Sequence, residues 1–140
     1  MKQIIIVRKD LDMSAGKMSA QVSHASMAFL SKWIKDNCHN YHIDADFDKD
    51  IYDEWINAIF TKVILRAKNR NQLLKAKELA ESIGLVEGED FFLIKDNCLT
   101  ELEPEEVDEN GVGRTLTCIG FKPMKPEIIN QISKKYQIYK

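Results

Sequence analysis

Long apolar runs are the first thing this chain lacks. No stretch nears the roughly twenty residues a helix needs to cross a bilayer, which excludes a helical membrane span. Met1-Lys2-Gln3 leads straight into an apolar strand with no signal-peptide pattern. Cysteine is scarce too: Cys38, Cys98 and Cys118 are odd in number and irregularly spaced, which argues against a disulfide framework. Together these absences predict a cytoplasmic protein with reduced thiols. No internal repeat, low-complexity tract or second domain is visible. We expect one domain over residues 1–140, long enough to bury a core unaided.

Two nucleating motifs are also missing. The aspartates at 44, 46, 48 and 50 alternate as in a calcium loop, but the turn glycine and closing glutamate are absent. Strand, Gly16-Lys17 and helix suggest a phosphate-binding loop, yet Leu11 stands where its first glycine belongs. Met18 stands where the magnesium-binding hydroxyl belongs. A nucleoside triphosphatase is therefore not expected. Cys38, His39 and His42 lack a matching ligand pair elsewhere, and no metal is expected.

Charge is nearly balanced at −2 but sorted along the chain. Between Trp55 and Lys77 there is no acid and six bases: Lys62, Arg66, Lys68, Arg70, Lys75 and Lys77. From Glu78 to Asn110 there are twelve acids and one base, Lys95. Such blocks can build a basic face on a protein with an acidic total, or serve as ordinary solvated surface.

What is present reads as β-α-(α)-β-α-β-β-α. Ile4-Ile5-Ile6-Val7 is a buried strand. A helix over about 14–35 carries two apolar stripes, so most of it is buried. A loop from Asp36 leads to a short helix ending near Ile59. Strand 60–67, a helix from Asn69 to a stop at Gly84, strand 91–96, strand 114–121 and a helix from Pro126 to about Tyr136 follow. Two helical crossovers make the first three strands parallel, while the helix-free link makes the last pair antiparallel. The expected fold is α/β: three layers, with helices on both faces of a four-stranded mixed sheet.

In such a sheet ligands bind beyond the carboxyl ends of the parallel strands. Lys17, at a helix N-terminus suited to anions, and Asp96, at the end of the third strand, share that edge. Gln21 and His24 lie within about 60° of Lys17 around the helix, and Thr100 is four residues past Asp96. Spacing alone leaves an exposed polar helix face an equal reading for Lys17, Gln21 and His24, while topology modestly favours a site over a solvated loop at Asp96 and Thr100.

Arg8-Lys-Asp-Leu-Asp-Met, Gly16-Lys17 and Ala20-Gln-Val-Ser-His-Ala25, following the strand, resemble the opening signature of type 2 peptidyl-tRNA hydrolases. The likeness continues in Lys62-Val-Ile-Leu, in the Leu73–Gly84 helix, and in Asp96 with Thr100. Segments 37–53 and 101–113 look like loop insertions. The resemblance implies hydrolysis of the ester between a peptide's carboxyl group and the 3′ ribose of tRNA, with no cofactor and commonly as a homodimer. The family's functional positions fall on Lys17, Gln21, His24, Asp96 and Thr100. Asp96 and Thr100 would orient and deprotonate water. Lys17 and Gln21 would hold the oxyanion or the ribose-phosphate. His24 orients one of them or braces the helix. By charge, Lys62, Arg66, Lys68 and Arg70 would meet the tRNA acceptor stem. Departures remain: Cys98-Leu99 replaces a glycine-containing segment, and a cysteine resists the positive φ that a glycine allows. Acids also follow where they would repel phosphate. A non-catalytic RNA- or protein-binding module on the same fold is the alternative.

Overall fold

The computed structural model describes all 140 residues. Its centre is β1 (Gln3–Arg8), every residue of which is buried. Helix α1 (Ala15–Asn37) follows, with Ser14 as its N-cap: the Ser14 hydroxyl accepts from Lys17 N–H at 3.2 Å. A hairpin of β2 (Cys38–His39) and β3 (His42–Ile43) turns through Asn40 and Tyr41, both at positive φ, as a two-residue hairpin requires. Helix α2 (Lys49–Ile51), capped by the Asp48 side chain, continues as a π-helical turn over Tyr52–Ile56. Strand β4 (Lys62–Ala67) leads through the Asn69 cap into α3 (Arg70–Ser82), which Gly84 ends at φ +88°. The rest is β5 (Phe91–Asp96), β6 (Glu106–Val107), β7 (Gly113–Phe121), α4 (Pro126–Ser133) and β8 (Gln137–Ile138).

The fold is α/β with a mixed sheet, but the sheet has six strands, ordered β5-β7-β1-β4-β8 with β6 beside β7. The expectation of four strands falls short by β6 and β8. Each is only two residues long, too short to carry an alternating pattern. β1 and β4 are parallel, while β7 runs antiparallel to both β1 and β5, so β1, β4 and β5 share one direction as expected. The long β7 separates β1 from β5. The last helix stops at Ser133 because the chain turns to pair β8 antiparallel with β4. The short helix expected near Ile59 ends at Ile56, and Ile59 is left exposed.

Alternation along β1 divides the core between the layers. Ile4 and Ile6 pack with Leu73, Ala76, Ala80, Ile129 and Ile132 of α3 and α4. Ile5 and Val7 pack with Met13, Ala25, Leu102 and Cys118 on the α1 side. Phe29, Ile51 and Trp55 form a satellite cluster that seats the 37–53 segment. Gly120 fixes how α1 lies on the sheet, since a Cβ there would sit 2.4 Å from the carbonyl oxygen of Ala25. That contact falls one helical turn after Gln21, so it also sets how deep Gln21 reaches.

Candidate active site

Lys17 lies in the first turn of α1 and Asp96 ends β5, so both reach the carboxyl edge of the sheet. The Lys17 ammonium donates to Asp96 Oδ1 at 2.8 Å and to the Thr100 hydroxyl at 3.1 Å. Gln21, one turn further along α1, donates from Nε2 to the same Oδ1 at 3.2 Å. Asp96 Oδ2 accepts from Cys98 N–H at 3.0 Å. A carboxylate offers about four lone-pair positions, and these three bonds, two of them to Oδ1, occupy most of them. Burial pushes its carboxyl pKa up, but the Lys17 bond, the Cys98 N–H and the Lys17 charge outweigh burial and hold it below the usual value.

Gln21 is only 3% exposed, and both ends of its amide are engaged. Its Oε1 accepts from the Thr117 hydroxyl at 2.6 Å, which forces Nε2 toward Asp96. Thr117 reaches Gln21 because the β5–β7 register shifts between Ile94 and Lys95. In this bulge Leu116 faces the α3 side, whereas Thr117 and Cys118 both contact Gln21 of α1. Thr117 was not among the residues the sequence singled out. A bulge depends on the partner strand, and no local pattern announces it.

The loop after β5 keeps the conformation that a glycine would allow. Cys98 sits at φ 60°, in the left-handed region, with its Sγ 3.6 Å from Asp96 O and 3.4 Å from Thr115 Oγ1. Two carboxylates then tie the loop down. Glu101 accepts from Ser14 N–H at 2.9 Å and from the Ser14 hydroxyl at 2.6 Å, covering the N-terminus of α1. Ser14's bonds hold the Glu101 carboxyl below its usual pKa. Glu105 binds Arg8, whose guanidinium is 3% exposed and also donates to Asp10 and to Leu116 O. Further along, Glu106 pairs with Lys95 at 2.8 Å and Asp108 with Arg114 at 2.9 Å. The acids expected to repel phosphate are largely neutralised by their own neighbours.

The other sequence candidates are dispersed. His24 is exposed and makes no hydrogen bond to the Lys17–Asp96 cluster. Lys62 begins β4, at the opposite edge of the sheet, with its Nζ 3.3 Å from the centre of the Phe60 ring. Arg66 and Lys68 lie at the carboxyl end of β4, and Arg70 stands 3.9 Å from Glu106. Lys17, Gln21, Asp96 and Thr100 are the four that converge.

The family model for peptidyl-tRNA hydrolase PTH2 matches residues 1–139. The chain belongs to this family. It is similar to a peptidyl-tRNA hydrolase of Methanopyrus kandleri, 37% identical over 133 residues that cover 94% of this chain and 92% of the relative. A peptidyl-tRNA hydrolase of Thermoplasma acidophilum is 30% identical over 137 residues, covering 98% of this chain and 97% of the relative. That of Thermoplasma volcanium is 31% identical over the same length. Membership spans the 37–53 and 101–113 segments as well as the signature around Lys17.

Proposed function

We propose that this chain hydrolyses the ester joining a peptide's carboxyl group to the 3′ ribose of tRNA. Family membership supports the reaction class. The observation that carries the assignment is the convergence of Lys17, Asp96 and Thr100 at the sheet's carboxyl edge.

Ester hydrolysis needs a positioned water and a stabilised tetrahedral oxyanion. With Asp96 Oδ1 bonded by both Lys17 and Gln21 and the carboxyl pKa held down, its carboxylate is a weak base in the resting arrangement. A substrate carbonyl at this edge competes for the Lys17 ammonium. When Lys17 turns to the oxyanion, Asp96 Oδ1 gains a free lone pair and loses the charge that most favoured its ionised form. Its basicity rises as the water, steadied by the Thr100 hydroxyl, attacks the ester carbon. Asp96 takes the water proton and then releases one to the departing ribose 3′ oxygen, giving free peptide and tRNA. Gln21 has no free face for substrate; it is a positioning residue that keeps Asp96 in place while Lys17 moves. His24 lies outside this arrangement. The substrate reading brings tRNA binding with it, and homodimer assembly is carried over from the resemblance as something for light scattering to check.

The test is cleavage of N-acetyl-aminoacyl-tRNA by purified protein, with free aminoacyl-tRNA as the specificity control. Turnover of the blocked substrate should fall at least 100-fold in Lys17→Ala and in Asp96→Asn, each checked for folding by circular dichroism. Near-normal rates in both variants would overturn the assignment.

A further inference from the structure

At the β4–β8 side of the same edge lies a cavity of about 430 Å³ lined by Lys9, Asp10, Arg66, Lys68, Gln72, Lys135 and Gln137. Four of these residues are basic and none is apolar. They come from four places in the chain: the end of β1, the end of β4, the start of α3 and the link into β8. None of Lys9, Arg66, Lys68 and Lys135 takes part in an ion pair, whereas Arg70, Lys95 and Arg114, outside the cleft, are each matched with an acid. The single acid in the cleft, Asp10, is bound through both oxygens by Arg8, at 3.1 and 2.9 Å, so its charge is already answered. Arg66 donates to Gln137 Oε1 at 2.5 Å, and Lys9 lies over the Tyr139 ring at 4.6 Å.

We propose that this cleft binds backbone phosphates of the tRNA acceptor stem and so fixes the distance from the stem to the ester. The inference rests on the hydrolase reading above. β4 is three strand positions from β5, about 15 Å at the usual spacing. The nucleotide bearing the ester sits at Lys17 and Asp96; the cleft therefore takes phosphates further back along the chain. Four unpaired cations converging on one concave, apolar-free surface suit a polyanion that offers several phosphates in a row. An apolar ligand has nothing to bury there, and an acidic peptide has no hydrophobic anchor to supplement its charge. The group differs from the run Lys62–Lys77 read along the chain: Lys9 and Lys135 join it, while Lys62 and Arg70 lie elsewhere.

The experiment compares R66A/K135A with K35A/K75A, which removes the same charge from exposed positions on α1 and α3. Kinetics are measured on full-length N-acetyl-aminoacyl-tRNA and on a short single-stranded oligonucleotide carrying the same 3′ ester. R66A/K135A should raise KM for the full-length substrate about tenfold, and lower the salt dependence of log KM by about 1.5, near 0.7–0.9 for each of the two lost phosphate contacts. It should also shrink the wild-type preference for full-length over short substrate. K35A/K75A should do none of these. Equal effects of the two doubles, no effect of R66A/K135A, or an equal KM rise on both substrates would each overturn the cleft assignment. Anisotropy with uncharged tRNA separates the two readings: a wild type that binds tRNA through the cleft yet cleaves neither substrate defeats the hydrolase reading alone.

Discussion

Two regions of one sheet edge handle charge in opposite ways. Around β5 and β7 nearly every charge is answered: Lys17 by Asp96, Arg8 by Asp10 and Glu105, Glu101 by the N-terminus of α1. Around β4 and β8, Lys9, Arg66, Lys68 and Lys135 are left without acids. Pairing takes charges out of water at a cost but fixes atoms within tenths of an ångström, which bond-breaking requires. Unpaired surface cations repel one another modestly and stay available to an incoming polyanion. The first region is built to position and the second to recruit.

The largest expected effect comes from breaking the paired region at its centre. Lys17→Ala should lower kcat by about 100- to 1,000-fold, as loss of one oxyanion donor does, with KM for tRNA changed far less. Had the two regions shared one role, kcat and KM would move together. Steady-state kinetics decide between these outcomes.

Next in size is Arg8→Met. It leaves Glu105, Asp10 and the Leu116 carbonyl without their donor. Removing one partner of a fully buried pair costs about 3–5 kcal/mol; here both carboxylates are about a third exposed, so roughly 2–4 kcal/mol is expected. Urea unfolding reads it directly. A loss under 1 kcal/mol would show that the Glu105 tie is a surface contact.

Thr117→Val tests positioning without touching substrate. The valine removes the donor that orients the Gln21 amide, so Nε2 no longer has a forced direction. We expect about a tenfold fall in kcat at nearly constant KM, recovered by Thr117→Ser, which restores the hydroxyl. If serine does not recover the rate, Thr117 acts through packing alone.

These predictions mark where sequence patterns stop being informative. Lys17, Asp96 and Thr100 were legible because a helix start and a strand end have local signatures, and the parallel direction of β1 and β5 follows from crossovers. Thr117 was not legible, since its aim depends on a register shift against β5. Gln21 and His24 looked equivalent on the helix wheel. Only the close approach of Ala25 to Gly120 rolls α1 so that Gln21 is buried and His24 faces outward. Lys9 belongs to the basic cleft because β1 lies beside β4, and Lys135 because β8, a strand too short to leave a pattern, pairs with β4. The acidic 101–113 segment read as repulsive because charge order along the chain does not show which bases fold against it.

Acid titration sharpens the comparison further. The Asp96 pKa is lower folded than unfolded, so its stabilisation is fully present above the unfolded value near 3.9 and is lost as pH falls through the folded one. Below about pH 4, Asp96→Asn should therefore lose less stability than wild type as pH is lowered further. R66A/K135A should leave that acid limb as steep as in wild type, because no carboxylate is paired with those bases. Unfolding followed from pH 6 to pH 2 checks both. A wild-type acid limb in Asp96→Asn would mean that other carboxylates carry the effect.

The smallest effect belongs to Cys98→Gly, and it asks whether the paired region needs a side chain there or only a backbone. At φ 60° a non-glycine residue costs about 1–2 kcal/mol, which glycine relieves. Glycine also enlarges the unfolded ensemble, costing about 0.4–1 kcal/mol, and gives up the Sγ contact with Thr115. The two nearly cancel, so stability should change by less than about 1 kcal/mol. The N–H that holds Asp96 Oδ2 is backbone and survives the change, so kcat should stay within threefold. A tenfold loss would instead make the Cys98 side chain part of what positions Asp96, because the backbone donor is the same in both.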